Sequence, residues 1–500
     1  MRKKMAALVV GLVMAAAAPA NARWVEAKTD HFVIYGDMPE ARAAAYAQDV
    51  ERFDHMLRIF ANVPDSKETP IDRVTVYVLP SLSALQSLTH SRNLAGFYSG
   101  SAQDSHAVMP LSIPSEYQIS AQHVLFHEYT HHIMLSATNA NYPSWIHEGF
   151  AEFFGTARPK ADGTIVIGAP PQTRGYALNT AYQMSLENLF RSDGMKLSDE
   201  DMNDKYARGW LLTHYLLLGK KRPGQLDQYL RLLRGGTPSL PAAQQAFGNL
   251  GKLDAELAAY NRSKFPALLV PADMLKTGQV TTRTLRPCEA EIMPTRIRSA
   301  SGVTDKTAPE LVPPARAVAA KCANDPFVER ALAEIEFDAK NNDASMAASD
   351  RTLALEPGNI MALVYKGRVL ARQSKWADAR KWFIKANRAN PDYALPLMLY
   401  YDTFMRAGEA PPKIAVDGLF RAVVLVPQDD QLRIRASYAL IRQNDLKTAR
   451  MVLAPVAFSP HANPADNPAL KVVQKIDAGG DAKAVMAEVD KAKWRELGKE

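Results

Sequence analysis

The chain has 500 residues, of which 47% are hydrophobic and 23% are charged, so it is too long for one ordinary core and has the composition of a soluble folded protein. This composition excludes a mostly disordered chain and a polytopic membrane protein, and two cysteines are too few for a disulfide-dense scaffold or a four-cysteine zinc ribbon. The formal charge of +7 arises from scattered basic residues, so no nucleic-acid partner is predicted.

Residues 1–22 have the pattern of a secretory signal peptide. Basic residues at 2–4 precede an apolar run over 6–18, and residues 20–22 form an A-x-A cleavage site. The apolar run is too short to span a membrane, and no later segment reaches about 18 apolar residues. We therefore expect an exported chain, in a bacterial periplasm or secreted, with no transmembrane segment after leader removal.

Residues 23–265 are predicted to form one α+β domain. Its first part alternates β-branched or aromatic stretches with an Ala-rich one, and the pattern becomes nearly all helical from about residue 115. A small N-terminal mixed sheet should therefore precede a helical lobe. The predicted strands lie over 31–35, 73–79, 95–98 and 106–109, and the predicted helices over 39–62 and 81–89.

Residues 127–131 read H-E-Y-T-H within a stretch predicted to be helical from a capping box at 115–118. On a helix His127 and His131 project from one face, whereas Glu128 points about 100° away. This arrangement suits two zinc ligands and a carboxylate that acts as general base on a metal-bound water. His132 and His147 flank the ligands and are interpreted as lining the cleft or supporting the ligands through hydrogen bonds. His123, one turn before His127, could approach the site, and none of the three is predicted to bind metal.

A second short helix is predicted over 145–154, between an N-cap at Ser144 and a stop at Gly155. It places Glu148 and Glu152 one turn apart among aromatic residues, where carboxylates are costly unless a cation pairs with them. We predict Glu148 as the third zinc ligand and Glu152 as support for a ligand histidine. Zn²⁺ is therefore the predicted cofactor.

The string W-I-H-E-G-F-A over 145–151 resembles the W-x-x-E-G-F-A string of the aminopeptidase-N branch of the gluzincin metallopeptidases, with His147 replacing the usual asparagine. The Y-A-R-G string at 206–209 resembles that branch's Y-x-K-G. The resemblance implies a gluzincin catalytic domain with Tyr206 stabilising the oxyanion, and Tyr215 stays an alternative. The region 95–110 lacks the family's G-x-M-E-N string, so aminopeptidase specificity is not predicted.

Residues 266–325 are rich in proline, which predicts a connector or irregular subdomain. Both cysteines, Cys288 and Cys322, lie in it. In an oxidising compartment a disulfide between these two cysteines would cross-link this segment.

From residue 326 an internal period appears. Prolines recur at positions 357, 391, 427 and 460, with spacings of 34, 36 and 33 residues. The clearest unit, 360–393, has Gly367, Ala379 and Ala386 where two antiparallel helices would pack closely, and it resembles the tetratricopeptide repeat. We predict an all-α repeat domain over 326–470 and a helical tail over 471–500. An unrelated array of helical hairpins is the alternative.

These observations support three hypotheses for function. The first is an exported zinc peptidase in which His127, His131 and Glu148 bind the metal and Glu128 is the base, acting on protein or peptide substrates. The second is a catalytically silent scaffold whose repeats bind a protein partner and whose metal site is vestigial or structural. The third is a zinc hydrolase of non-peptide bonds.

Overall fold

A computed structural model describes residues 24–64, 73–91, 94–137, 142–180, 183–459, 463–492 and 494. The predicted signal peptide, the proline at 460 and the end of the predicted tail lie outside these residues. Among the described helices, none is both long and apolar enough to cross a membrane.

The N-terminal part contains a six-stranded sheet and a three-stranded sheet. The strands are β1 (Trp24–Lys28), β2 (Phe32–Asp37), β3 (Val74–Leu79), β4 (Phe97–Gly100), β5 (Ser105–Pro110), β6 (Arg158–Pro159), β7 (Ile165–Ile167), β8 (Leu268–Val270) and β9 (Thr281–Thr284). The large sheet has the order β4-β5-β3-β2-β1-β9, and its central pairs β2–β3 and β3–β5 are parallel while the others are antiparallel. A small mixed sheet is therefore present, with the four predicted strands in it.

Two helices connect the parallel strands: α1 (Glu40–Ala61) and α2 (Leu82–Thr89). One face of α1 is apolar and packs on the sheet, with Ala43, Ala47, Val50 and Phe53 buried. Phe53 stacks on Phe126 with ring centroids 3.7 Å apart. This contact joins α1 to the helix that carries the H-E-x-x-H string.

A helical lobe follows the sheet. Its helices are α3 (Ala121–Ala137), α4 (Ser144–Gly155), α5 (Gly175–Asn179), α6 (Leu186–Arg191), α7 (Asp199–Leu218), α8 (Gln225–Arg234), α9 (Ser239–Phe247) and α10 (Leu250–Asn261). The capping box predicted at 115–118 is wrong, because Gln118 adopts a left-handed conformation with φ 55° that ends a single 3₁₀ turn. Ser120 instead starts α3, and its hydroxyl accepts a hydrogen bond from His123 N at 3.0 Å.

The segment 266–325, predicted as a connector or irregular subdomain, contains the helices α11 (Pro287–Ala300) and α12 (Ala308–Lys321). Prolines occur inside both helices, yet apolar residues of each are buried in one cluster, including Ile292 of α11 and Leu311 of α12. Packing therefore outweighs the hydrogen bonds that the prolines remove. The disulfide Cys288–Cys322 links the start of α11 to the end of α12.

The remainder is an array of five antiparallel helix pairs. The pairs are α13 (Pro326–Asp338) with α14 (Asn342–Leu355), α15 (Ile360–Arg372) with α16 (Trp376–Ala389), α17 (Ala394–Ala407) with α18 (Lys413–Leu425), α19 (Asp430–Arg442) with α20 (Leu446–Ala457), and α21 (Pro468–Asp477) with α22 (Ala482–Lys491). The fifth pair extends the array into the segment predicted as a tail, because Leu470 and Val485 share a core cluster with Leu453 of α20.

The clearest predicted repeat packs as its small residues suggest. A methyl group at Gly367 of α15 would lie 2.4 Å from the Phe383 ring of α16, so the two helices touch at this point. Ala379 and Ala386 are fully buried on the same side of α16. The chain from 326 onward is thus a series of close-packed hairpins.

Candidate metal centre

Three predicted metal ligands converge where α3 meets α4. The Nε2 atoms of His127 and His131 are 3.3 Å apart, and Glu148 Oε2 lies 3.4 Å from the first and 3.7 Å from the second. Ligand atoms held at about 2.0–2.2 Å by a tetrahedral zinc ion are about 3.3–3.6 Å from each other. The three side chains therefore have the chemistry and spacing of a zinc site, and zinc binding itself stays a prediction.

Glu148 is fully buried because α4 packs closely against α7. A methyl group at Gly149 would lie 2.6 Å from the Gly209 carbonyl oxygen, and one at Gly209 would lie 2.9 Å from the Trp145 carbonyl oxygen. The two glycines thus allow the backbones to touch. The resulting burial makes the Glu148 carboxylate costly without a nearby positive charge.

The electrostatics of the surrounding histidines differ. Burial lowers the pKa of His127, but the hydrogen bond and the charge of Glu148 outweigh burial and raise it overall. Burial dominates for His123 and His147, lowering the pKa of each to about 4. Both of these imidazoles are therefore neutral at pH 7.

Glu128 lines a cavity of about 280 Å³ beside the candidate ligands. His131, His132 and Tyr98 contribute to the same wall. The opposite wall belongs to the helix pairs and their connections: Gln428, Asp430, Arg433, Pro455 and Phe458. The centre thus borders, through His131, a cavity that residues of the repeat array also line, which local sequence patterns do not reveal.

Tyr206 of α7 lies next to the candidate ligands, whereas Tyr215 does not contact them through its hydroxyl. The Tyr206 ring stacks on the His127 ring with centroids 6.4 Å apart and planes at 15°. Burial raises the pKa of Tyr206, and the charge of Glu148 raises it further, so the phenol is protonated at neutral pH. Tyr215 donates to Glu256 Oε2 at 2.8 Å.

Glu152 is held chiefly by Arg174, a residue that the sequence motifs did not indicate. The Glu152 Oε1 atom accepts from Arg174 Nε at 2.9 Å and from Nη2 at 2.6 Å, and its Oε2 lies 3.8 Å from His123 Nε2. The Arg174 guanidinium also lies over the Tyr206 ring at 4.6 Å. Arg174 therefore connects Glu152 to Tyr206, while support of a ligand histidine by Glu152 stays a prediction.

His132 anchors α3 to the edge of the sheet. Its Nδ1 atom is 2.6 Å from the Tyr98 hydroxyl of β4, and its ring stacks on Tyr129 with centroids 5.2 Å apart. Burial lowers the pKa of His132 to about 3. It therefore serves as a neutral packing residue on the cavity wall.

Comparisons with known proteins find similar solved structures but no matching family. No family model matches the chain, and no curated protein matches it. Among solved structures, MamA from Desulfovibrio magneticus RS-1 is 19% identical and covers 32% of this chain and 90% of its own, with a TM-score of 0.27. Yeast Tom70 is 13% identical and covers 71% of this chain and 72% of its own, also with a TM-score of 0.27. At such low TM-scores, no property of either protein is transferred.

These findings correct the expected family and activity. The expected membership of the gluzincin metallopeptidases is wrong, since no family model, of a peptidase or of any other class, matches the chain. The assignment as a zinc metallopeptidase is wrong with it. The roles given to Glu128 as base and Tyr206 as oxyanion donor lose their basis, although the structure places both residues beside the candidate ligands.

Proposed function

We propose that this chain is a protein-interaction scaffold whose helix pairs bind polypeptide. A zinc ion held by His127, His131 and Glu148 belongs to the same proposal as a stabilising centre of the N-terminal domain, the part predicted over 23–265.

The observation that carries this proposal is a polypeptide segment already held on one face of the array. Residues 101–104, which connect β4 to β5, contact residues of α13 and α15 and the starts of α17 and α19. We call this face the repeat groove and define it by Glu334, Tyr365, Arg368, Tyr393 and Asp429. Side chains of this set bind both backbone and side-chain atoms of the segment, as a peptide-binding surface does.

The proposed zinc centre is supported by donor chemistry and spacing. Two imidazoles and one fully buried carboxylate lie within 4.8 Å of one another across two helices. A bound zinc ion would neutralise Glu148 and link α3 to α4. The binding energy of such an ion adds to the stability of the folded chain.

Export to an oxidising compartment is part of the proposal. The signal-peptide pattern over 1–22 supports export. The Cys288–Cys322 bridge supports it, because disulfides persist mainly in such compartments.

Affinity capture with matched variants tests the scaffold function. Arg368→Ala removes a groove side chain, whereas Lys381→Ala removes an exposed positive charge on α16, outside the groove. The substitutions are made in a chain carrying Ala102→Arg/Gln103→Ala, which frees the groove of residues 101–104. We expect this chain to retain at least one protein from native extracts, with Lys381→Ala added or not, and to lose it when Arg368→Ala is added. Capture of the same proteins by all three chains, or of none by the chain with the freed groove, contradicts the function.

A further inference from the structure

The tip of the β4–β5 hairpin is buried at Ala102 and half-buried at Ser101, Gln103 and Asp104, although hairpin tips usually face solvent. Its turn is closed by Ser101 N, which donates to Asp104 O at 3.0 Å. Ala102 is only 2% exposed and belongs to a core cluster with Phe337, Tyr365 and Tyr393 of the repeat array. The array therefore holds this four-residue segment within its own packing.

The groove binds the backbone of the segment at two adjacent residues. Ala102 N donates to Asp429 Oδ2 at 2.6 Å, and the Tyr393 hydroxyl donates to the Gln103 carbonyl oxygen. The Asp429 side chain is held in place because its Oδ1 atom caps the N-terminus of α19, accepting from Leu432 N at 2.9 Å. These contacts are available to any chain that forms the same turn and do not depend on its side chains.

The groove also binds a specific side chain. Gln103 Oε1 accepts from Arg368 Nη1 at 3.0 Å, and Gln103 Nε2 donates to Glu334 Oε1 at 3.4 Å. The Tyr365 hydroxyl lies 3.5 Å from the same nitrogen. A glutamate here would place a carboxylate against Glu334, and a lysine would place an ammonium against Arg368. The opposite charges therefore favour an uncharged amide.

The preceding position accepts only a small side chain. Ala102 is surrounded by the apolar cluster of the array, so a longer or charged residue would have to displace buried aromatic rings. The two positions together define a small residue followed by glutamine.

We infer that the repeat groove binds tight turns of partner proteins in which a small residue is followed by glutamine, and that residues 101–104 occupy it in cis as a competing ligand. This inference rests on the proposed scaffold function. A tethered segment competes at an effective concentration of millimolar order, so a partner binds only if it exceeds that competition. The hairpin thus limits binding to segments that match the groove better than it does.

A labelled peptide corresponding to residues 99–106, cyclised so that it keeps the turn over 101–104, tests the inference on the full chain. In the loop variant Ala102→Arg/Gln103→Ala, the segment no longer fits the groove. We expect this variant to bind the peptide at least about tenfold more tightly than the wild type does, as judged by fluorescence anisotropy. Adding Arg368→Ala to the loop variant should weaken binding by about tenfold or more, whereas adding Lys381→Ala should leave it unchanged.

The probe sequence provides a second comparison. A peptide with glutamate in place of the residue equivalent to Gln103 should bind the loop variant about tenfold more weakly than the parent peptide. Equal binding of both peptides, or equal binding of the parent peptide to wild type and loop variant, would overturn the inference. The inference would also be overturned if the folded loop variant binds no peptide at about 1 mM. The contact between residues 101–104 and the array would then be a permanent interface within the chain.

Hydrogen exchange on the wild type keeps the inference testable if the loop variant fails to fold. Excess peptide should displace residues 101–104 from the groove and break the bond from Ala102 N to Asp429 Oδ2. Amide exchange at Ala102 should therefore increase. Unchanged exchange at saturating peptide would overturn the inference. If partner capture still depends on Arg368 while the peptide fails, the scaffold function stands and only this inference falls.

Discussion

The hydroxyl of Tyr129 donates a hydrogen bond of 2.6 Å to Oδ1 of Asp54, and both residues are buried. Tyr129 lies between the two histidines of the H-E-x-x-H string, and Asp54 belongs to α1. Asp54 also accepts from Arg58 Nε at 2.8 Å and lies 3.3 Å from His31 Nδ1. Helix α3, which carries the candidate ligands His127 and His131, is thus held against α1 by a buried network of charged groups.

Tyr129→Phe should destabilise the fold, because it removes one donor to a buried carboxylate while leaving the ring in place. We expect the free energy of unfolding to fall by about 1–3 kcal/mol in denaturant titrations. Tyr117→Phe is the control, since Tyr117 is 53% exposed and should change stability by less than about 0.5 kcal/mol. Equal stability of Tyr129→Phe and wild type would show that the network does not depend on this bond.

The same network predicts a pH dependence of stability. Burial lowers the pKa of His31, but the hydrogen bond that its Nδ1 donates to Glu51 and the charge of Asp54 outweigh burial and raise the pKa to about 9. The folded pKa exceeds the unfolded value, so this stabilisation is complete below about pH 6.5 and is lost as the pH rises through about 9. The loss amounts to at most about 3 kcal/mol, since each pKa unit between about 6.5 and 9 corresponds to about 1.4 kcal/mol.

A pair of variants isolates that contribution. His31→Asn should flatten the decline of unfolding free energy between pH 6.5 and 9. His90→Asn, at an exposed histidine, should leave the decline as in the wild type. An unchanged decline in His31→Asn would assign the pH dependence to other groups.

The zinc proposal predicts one tightly bound ion per chain after reconstitution, measured by elemental analysis. Glu148→Gln keeps the size of the side chain but removes its charge, and we expect zinc affinity to fall by at least about 100-fold. A chelator should lower the thermal midpoint of the wild type and leave that of Glu148→Gln nearly unchanged. The control His90→Ala should bind zinc normally. Equal zinc content in Glu148→Gln and wild type would remove Glu148 from the site.

Gly367→Ala should destabilise the repeat array because its methyl group would lie 2.4 Å from Phe383. We expect a loss of about 1–2 kcal/mol, with the clash reduced by the better helix propensity of alanine. Gly358→Ala is the matched control, since no atom outside its own neighbourhood lies within 4 Å of the added carbon. Similar unfolding midpoints for both variants would contradict close packing at Gly367.

Local patterns predicted much of the architecture. Alternating β-branched residues located the central strands, and the small residues at Gly367, Ala379 and Ala386 located the packing face of one hairpin. The helical spacing of His127 and His131 also predicted a shared face, and the structure brings Glu148 to it. Each of these features depends on residues close together in the chain or on one repeated period.

Other features depend on contacts that a local pattern does not contain. Ala102 and Asp429 are 327 residues apart, and Gln103 and Tyr393 are 290 apart, so no spacing rule pairs them. The proline content of 266–325 did not predict the helices α11 and α12. Buried residues such as Ile292 pack these helices together despite their prolines. The metallopeptidase assignment failed for a different reason: a ligand-like geometry is a property of a few side chains and does not establish a protein class.

The affinity of a captured partner for matched variants tests the central claim most directly, since the claim is that the repeat groove binds polypeptide. In the loop variant, whose groove is free of residues 101–104, Arg368→Ala should raise the dissociation constant at least about tenfold, while Lys381→Ala should leave it unchanged. Equal dissociation constants for the loop variant with and without either substitution, with all three chains folded, would contradict the claim.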